Sequence, residues 1–184
     1  KISGRQYNVV DYVGPKDAEQ VIVIMGSGAE TVEETINYLN NNGYKVGLVK
    51  VHLYRPFPTK SFLKALPESV KTVSVLDRTK ESGSIGEPLY LDVVATLTQA
   101  FANGEIKAMP RIVGGRYGLS SKEFTPGMVK AVYDNGAAVK PLNGFSVGIE
   151  DDVTHKSLPF SDDIDTEGKD VVRAVFFGLG ADGT

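Results

Sequence analysis

Two glycine-rich turns are the parts of this sequence whose spacing could support chemistry. The first spans Gly26–Thr31 and follows an apolar run; the second, Gly178-x-Gly180-x-x-Gly183, follows the apolar run Val171–Phe177. Glycines at this spacing let backbone N–H groups approach a phosphate, and a helix starting behind them adds the positive end of its dipole. Each turn is therefore a candidate phosphate-binding loop, with a simple strand-ending turn as the alternative.

The first turn departs from a dinucleotide-binding fingerprint in two ways. Thr31 stands where the third glycine is usual, and the next strand ends in basic residues instead of the acid that would hold a ribose hydroxyl. Negative charge also crowds the start of the following helix, at Glu30, Glu33 and Glu34. These features make a tight turn with a role in packing a better interpretation than a nucleotide site.

Other reactive side chains form no catalytic set in the sequence. The run Asp77–Glu81 ends a predicted strand, where open α/β sheets bind ligands, although a surface ion-pair cluster is the commoner meaning of such a run. His52 is expected to be packed or hydrogen-bonded and His155 solvated. The hydroxyls of Ser120, Ser121 and Thr125 have no histidine nearby in sequence, and there is no Gly-x-Ser-x-Gly elbow. We predict no catalytic and no metal-binding residue.

The elements that must position these residues alternate between strand and helix. Apolar, β-branched runs predict strands at Val21–Met25, Lys45–Val51, Lys71–Asp77 and Arg111–Gly114. Helical spacing predicts four helices, at Ala29–Asn42, Thr59–Leu66, Glu87–Asn103 and Gly127–Asn135. Thr59 is the predicted N-cap of the second helix. Thr125 and Pro126 are predicted to cap the fourth helix, and Gly136 is predicted to end it. A short extended stretch, Tyr7–Val13, and an edge strand, Phe145–Ile149, complete the pattern. It indicates a three-layer α/β/α fold with an open, mostly parallel sheet.

Composition excludes several classes of function. The chain has 184 residues, no cysteine, two histidines and a net charge of −3. It can therefore form no disulfide, offer no thiolate nucleophile and hold no cysteine-ligated cluster. The scattered Lys and Arg residues give no footprint for nucleic acid. Apolar stretches reach about five residues, against the roughly 20 that a membrane helix needs. The first residues lack a signal-peptide pattern, so we expect a cytoplasmic location.

The composition of the sequence changes near residue 150. We predict one α/β domain over residues 1–150 and an acidic, polar linker arm over residues 151–170. Residues 171–184 combine an apolar strand with a glycine loop and have no helix after it. We interpret them as the truncated first strand and loop of a further domain.

Five stretches resemble one family, the pyruvate:ferredoxin (or flavodoxin) oxidoreductases in their large single-chain bacterial form. They are Tyr12–Thr31, Tyr44–Phe57, Leu76–Val93, Gly114–Pro126 and Gly148–Pro159. The resemblance covers essentially the whole chain. It implies that the chain is an internal second domain of a longer polypeptide, similar to the C-terminal domain of transketolase.

The resemblance implies a parent enzyme that oxidatively decarboxylates pyruvate to acetyl-CoA on thiamine diphosphate with magnesium. Its electrons pass through [4Fe-4S] clusters to ferredoxin or flavodoxin, and the parent is expected to be a homodimer. The thiamine, pyruvate and cluster residues of that family lie in other domains, so this chain by itself is expected to be inactive and to bind no cofactor. One stretch carries over as part of a coenzyme A loop: Gly180, Ala181, Asp182, Gly183 and Thr184.

Two hypotheses follow. The first is a non-catalytic structural domain that contacts the other domains of its polypeptide through the loops Leu53–Pro58 and Arg116–Thr125. Aromatic anchors beside Arg55 and Arg116 would carry those contacts, namely Tyr54, Phe57, Tyr117 and Phe124. Packing of these loops within the domain is the alternative. The second hypothesis is a free-standing nucleotide-binding α/β domain that uses the Gly26–Thr31 turn.

Overall fold

A six-stranded sheet forms the centre of the protein in a computed structural model that describes residues 4, 7–168, 170–178 and 180. The strand order is β1-β3-β2-β4-β5-β6. All neighbouring pairs are parallel except β1 with β3, which is antiparallel. The strands are β1 Val10–Val13, β2 Gln20–Ile24, β3 Val46–Val51, β4 Thr72–Asp77, β5 Arg111–Arg116 and β6 Phe145–Ser146.

Helices cover both faces of this sheet and create two separate cores. Side chains of α1 and α4 share one core with Ile22 and Ile24, whereas α2 and α3 share the other with Val21 and Val23. The predicted three-layer α/β/α fold is confirmed. The helices are α1 Gly28–Asn41, α2 Thr59–Ala65, α3 Pro88–Ala102 and α4 Pro126–Ala137, with a 3₁₀ turn at Leu119–Ser121.

Burial on both faces explains why the central strands are continuous apolar runs. Every residue of β4 is buried, and so are Val21–Ile24 of β2. Successive side chains of a strand point to opposite faces, so each strand contributes to both cores. Each fully buried Val, Leu or Ile contributes about 1.5–3 kcal/mol relative to its exposed state. The sheet therefore requires a helix layer on each side.

The helix ends test three predictions. Thr125 caps α4 as predicted, because its hydroxyl accepts a hydrogen bond from the Met128 N–H at 3.4 Å, with Pro126 at the first helical position. Thr59 is wrong as an N-cap, since it is the first residue of α2 and Pro58 holds the cap position. Gly136 does not stop α4 but lies inside it. A Cβ there would sit 2.7 Å from Gln20 Oε1, so the glycine allows the helix to approach the sheet closely.

The predicted arm begins with contacts to the domain. Leu158 is buried, and its N–H donates to the Ser146 carbonyl at 2.8 Å. Further along, the Thr125 hydroxyl donates to the Asp162 carboxylate at the start of α4. Residues 151–162 therefore lie along the domain instead of leaving it at once.

The apolar run Val171–Phe177, predicted as a strand, has no strand hydrogen bonds in the described part of the chain, and Phe177 is 96% exposed. A strand exists only where a neighbouring strand supplies hydrogen bonds. The division of the chain at residues 150 and 170 stays a prediction. None of the described helices is long and apolar enough to cross a membrane.

Candidate functional site

The carboxyl edge of the sheet gathers most of the residues singled out from sequence. Strands β2, β4 and β5 end there at Ile24, Asp77 and Arg116, and each is followed by a loop that leads to a helix. Helix α1 leaves β2 toward one face and α3 leaves β4 toward the other, so the crevice between these neighbouring strands is where an open α/β sheet would bind a ligand. What fills this crevice decides whether it can bind anything.

Asp77, at the end of β4, caps helix α3. Its buried carboxylate accepts hydrogen bonds from the backbone N–H groups of Leu89 at 3.0 Å and Tyr90 at 3.1 Å. Burial raises the pKa of Asp77, and the two N–H bonds offset part of that rise. Because Asp77 occupies the positive end of α3, no ligand anion can use that helix end.

Glu87 and Arg116 form a largely buried ion pair beside this cap. Arg116 Nη1 donates to Glu87 Oε1 at 3.0 Å, and Glu87 Oε2 accepts the Glu81 N–H at 2.6 Å. Lys80 lies 3.8 Å from the same carboxylate. Lys80 of the Asp77–Glu81 run takes part in ion pairing, which was the alternative to a ligand site, whereas the role of Asp77 as a buried helix cap was not predicted. Sequence did not link Glu87 to Arg116, since neither lies in a recognisable motif with the other.

Tyr117 occupies the first glycine turn. Its side chain is 2% exposed, and its hydroxyl lies 3.4 Å from the Met25 carbonyl. A Cβ built on Gly28 would sit 2.6 Å from that hydroxyl oxygen, so the glycine is required by the tyrosine ring. Burial raises the pKa of Tyr117. The turn thus packs against protein at the place where a phosphate would lie.

Charge near the same turn is already balanced within the protein. Lys50, at the end of β3, pairs with Glu30 at 2.8 Å and also with Glu33. These acids surround the start of α1 and would repel a phosphate. The geometry therefore favours the packing turn predicted from sequence over a nucleotide site.

The loops predicted as interfaces pack mostly within the domain. Phe57 lies against Phe62 with ring centroids 5.5 Å apart, and Tyr117 lies against Phe124 at 4.5 Å. These aromatic side chains are half-buried or buried in the two cores, so they are not exposed anchors.

Arg55 is one of the exposed residues of the first of these loops, with Leu53 and Pro56. Its guanidinium stacks 3.9 Å over the Tyr54 ring and pairs with Asp92 at 2.5 Å. The packing alternative accounts for the aromatic side chains of both loops, and a role of the loops in contacts with other domains stays a prediction.

The histidines and hydroxyls noted from sequence stay apart. His52 Nε2 lies 3.0 Å from Asp11 Oδ2, which joins β3 to the edge strand β1, and His155 lies in an exposed turn with φ +53°. Ser120 and Ser121 form a left-handed turn, and Thr125 serves as a cap. Among the described residues, no group of three or more His, Asp or Glu side chains could hold a metal ion.

A small cleft opens beside the ion pair, between the start of α3 and strands β5 and β6. Its volume is about 210 Å³. Sequence reasoning missed it because the residues come from four separate segments, and only the glycine pair Gly114-Gly115 could have hinted at a close backbone approach. The lining includes Lys80, Ile85, Gly86, Glu87, Tyr90, Gly114, Arg116, Asn143, Gly144 and Lys156.

Of the predicted coenzyme A loop, the structure describes only Gly180. That residue has φ +86°, a conformation that glycine adopts readily, and a Cβ there would meet nothing within 4 Å. The other residues of the predicted coenzyme A loop, Ala181, Asp182, Gly183 and Thr184, lie outside the described residues.

A family model supplies the identification. Residues 18–120, which include strands β2 to β5, match the pyruvate:ferredoxin oxidoreductase core domain II. The chain belongs to this core domain II family. The family resemblance inferred from the five sequence stretches is therefore confirmed.

Full-length relatives of core domain II are oxidoreductases. The chain is 56% identical over 184 residues to a pyruvate-flavodoxin oxidoreductase of Trichormus variabilis, covering all of this chain and 15% of that protein. It is 58% identical to a pyruvate-flavodoxin oxidoreductase of Rhodospirillum rubrum and to a pyruvate:ferredoxin oxidoreductase of Moorella thermoacetica, covering 16% and 15% of those proteins. The chain therefore spans about one sixth or less of the length of these relatives.

One solved structure is similar at low identity. A 2-oxoglutarate:ferredoxin oxidoreductase from Magnetococcus marinus is 22% identical, with a TM-score of 0.46, over 70% of this chain and 20% of that chain. The described residues of this core domain II chain show capping, ion pairing and packing at the sheet edge, with no nucleophile and base brought together.

Proposed function

We propose that this chain is a non-catalytic structural domain of a pyruvate:ferredoxin or pyruvate:flavodoxin oxidoreductase. The observation that carries the proposal is identity of 56–58% along the whole chain to enzymes of which the chain makes up only 15–16%. A segment of this kind contributes one domain to a larger catalyst. The contribution of this one is a rigid α/β body that supports the neighbouring domains.

The polar chemistry of the described residues supports a structural role. Asp77 caps α3, and Glu87 forms an ion pair with Arg116. Lys50 forms ion pairs with two glutamates of α1. A catalytic acid or base must instead reach a reacting group and exchange its proton with it. The buried acids at the sheet edge have partners that hold them in place.

The parent polypeptide oxidatively decarboxylates pyruvate to acetyl-CoA, with thiamine diphosphate, magnesium, [4Fe-4S] clusters and coenzyme A as cofactors. Ferredoxin or flavodoxin accepts the electrons, and the enzyme acts as a cytoplasmic homodimer. This chain contains no cysteine, so the clusters are held by other parts of the polypeptide. Thiamine diphosphate and pyruvate are likewise bound outside this chain.

Gly180, Ala181, Asp182, Gly183 and Thr184 form part of the coenzyme A site of the parent. Support comes from the family resemblance and from the glycine spacing, which lets backbone N–H groups approach a phosphate. In the full-length polypeptide, Gly183→Val should weaken coenzyme A binding measured by calorimetry, whereas Gly104→Val, in the loop between α3 and β5, should leave it unchanged. Unchanged affinity in Gly183→Val would remove this loop from the site.

The structural proposal is tested with two proteins, the isolated chain and the full-length polypeptide that contains it. Both are given pyruvate, thiamine diphosphate, magnesium, coenzyme A and a dye that accepts electrons. We expect acetyl-CoA formation by the full-length protein and none by the chain. Turnover by the isolated chain would overturn the structural role, and a full-length protein inactive on pyruvate would overturn the proposed parent activity.

A further inference from the structure

Glycine backbone forms part of the floor of the cleft between α3, β5 and β6. Gly86 and Gly114 both lie against Tyr90, where a Cβ would come within 2.6 Å and 2.7 Å of its ring. The Asn143 side chain and Gly144 continue the floor at the start of β6. The two glycines therefore make room for the Tyr90 ring, which itself lines the cleft.

Three cations and one acid line this space. Lys80, Arg116 and Lys156 reach the cleft, and Glu87 is the acid. Glu87 contacts both Arg116 at 3.0 Å and Lys80 at 3.8 Å, so three cations and one acid give the lining a net charge of +2. The net charge of the whole chain is −3.

The cleft also contains hydrogen-bond donors that are free to bind a ligand. The Lys156 ammonium uses one of its protons on the Asn143 carbonyl at 3.1 Å, which leaves two. The Tyr90 hydroxyl accepts from the Asn143 amide at 3.1 Å, so its own proton can still be donated. The cleft therefore offers donors and positive charge, which an anion requires.

We propose that this cleft is a binding site for a compact, multiply charged anion that carries phosphate or carboxylate groups. Its volume of about 210 Å³ holds about seven waters at about 30 Å³ each, which suits pyrophosphate or citrate and is below the roughly 300–1,000 Å³ of pockets for larger ligands. Lys80 and Lys156 would bind the charge and Tyr90 would donate to one oxygen. The N-terminus of α3 does not contribute to anion binding, because the Asp77 carboxylate already occupies it. The anion is therefore held by side chains.

The test uses the 184-residue chain with pyrophosphate and, separately, citrate as probes. Calorimetry gives the affinity, and ¹⁵N-glycine NMR reports Gly86, Gly114 and Gly144. We expect saturable binding with shifts at these glycines. Lys80→Gln and Lys156→Gln should each weaken binding about two- to fivefold, and the double variant more. Lys107→Gln, an exposed lysine at the other end of α3, is the matched control and should bind like the original chain.

Each outcome decides the proposal. Binding of either probe that is lost in the double variant supports the site, and the preferred probe identifies the acid group. No saturation at millimolar concentration of both probes overturns it. So does binding that the two cleft lysine variants and Lys107→Gln change equally, because that result reports general attraction to surface charge. Circular dichroism of each variant confirms that the fold is retained. The result is independent of the pyruvate assay.

Discussion

The backbone N–H of Leu89 donates a 3.0 Å hydrogen bond to the carboxylate of Asp77, so a side chain at the end of β4 caps helix α3. The residue at the cap position of α3 itself, Glu87, makes no side-chain cap bond to the helix and is turned instead toward Glu81 and Arg116. The start of α3 is therefore fixed by a tertiary contact that also fixes the helix against the sheet.

Removal of this cap should destabilise the chain. Asp77→Ala leaves the N–H groups of Leu89 and Tyr90 without their acceptor, and we expect a loss of about 2 kcal/mol in the free energy of unfolding. Urea denaturation followed by circular dichroism measures it. Asp134→Ala, which breaks an exposed pair with Lys130 in α4, is the matched control and should cost less than about 0.5 kcal/mol. Equal losses in both variants would contradict the capping role.

The same aspartate should make stability depend on pH. Burial raises the pKa of Asp77 in the folded chain, so between the unfolded and folded pKa values the folded state binds more protons. Its contribution to stability is then complete below the unfolded pKa and falls as pH rises through the folded one. We expect the free energy of unfolding of the original chain, minus that of Asp77→Asn, to decrease as pH rises from about 3 to about 7. A difference that rises with pH would mean that the two N–H bonds outweigh burial.

Gly28 should not tolerate a methyl group. An alanine inside a helix usually gains up to about 1 kcal/mol over glycine. At Gly28, however, the new Cβ would lie 2.6 Å from the Tyr117 hydroxyl oxygen, so we expect Gly28→Ala to lose about 1–3 kcal/mol. Thermal and urea unfolding measure the change, and Ser27→Ala, exposed and without a cap bond, should be nearly neutral. A stabilised Gly28→Ala would show that Tyr117 does not fill the turn.

The Glu87–Arg116 pair should behave as a coupled unit. Arg116→Gln leaves the largely buried Glu87 carboxylate with only Lys80, 3.8 Å away, and we expect it to cost about 2–3 kcal/mol. Adding Glu87→Gln removes the buried charge that has lost Arg116, so the double variant should be less destabilised than the sum of the two single variants. A double-mutant cycle in urea gives the coupling. Strict additivity would mean that the pair contributes no interaction energy.

Sequence alone predicted most of the secondary structure, because the signals are local. The apolar run Val21–Met25 and the helical spacing behind it specify β2 and α1 within one to two residues. Thr125 and Pro126 specify the start of α4 by cap chemistry alone. Gly136 failed as a stop signal because its purpose is close approach to Gln20, a contact between distant residues.

The sequence also determined the family, because stretches such as Leu76–Val93 match it over many consecutive residues. The sequence could not decide what the sheet edge does. From sequence, the run that Asp77 begins could be a ligand contact or a surface ion-pair cluster, and Tyr117 could be an interface anchor or could pack within the domain. Those choices depend on which elements pack side by side, and packing brings together residues far apart in the chain. Only the tertiary structure closed the first glycine turn with Tyr117 and left open the cleft beside Arg116.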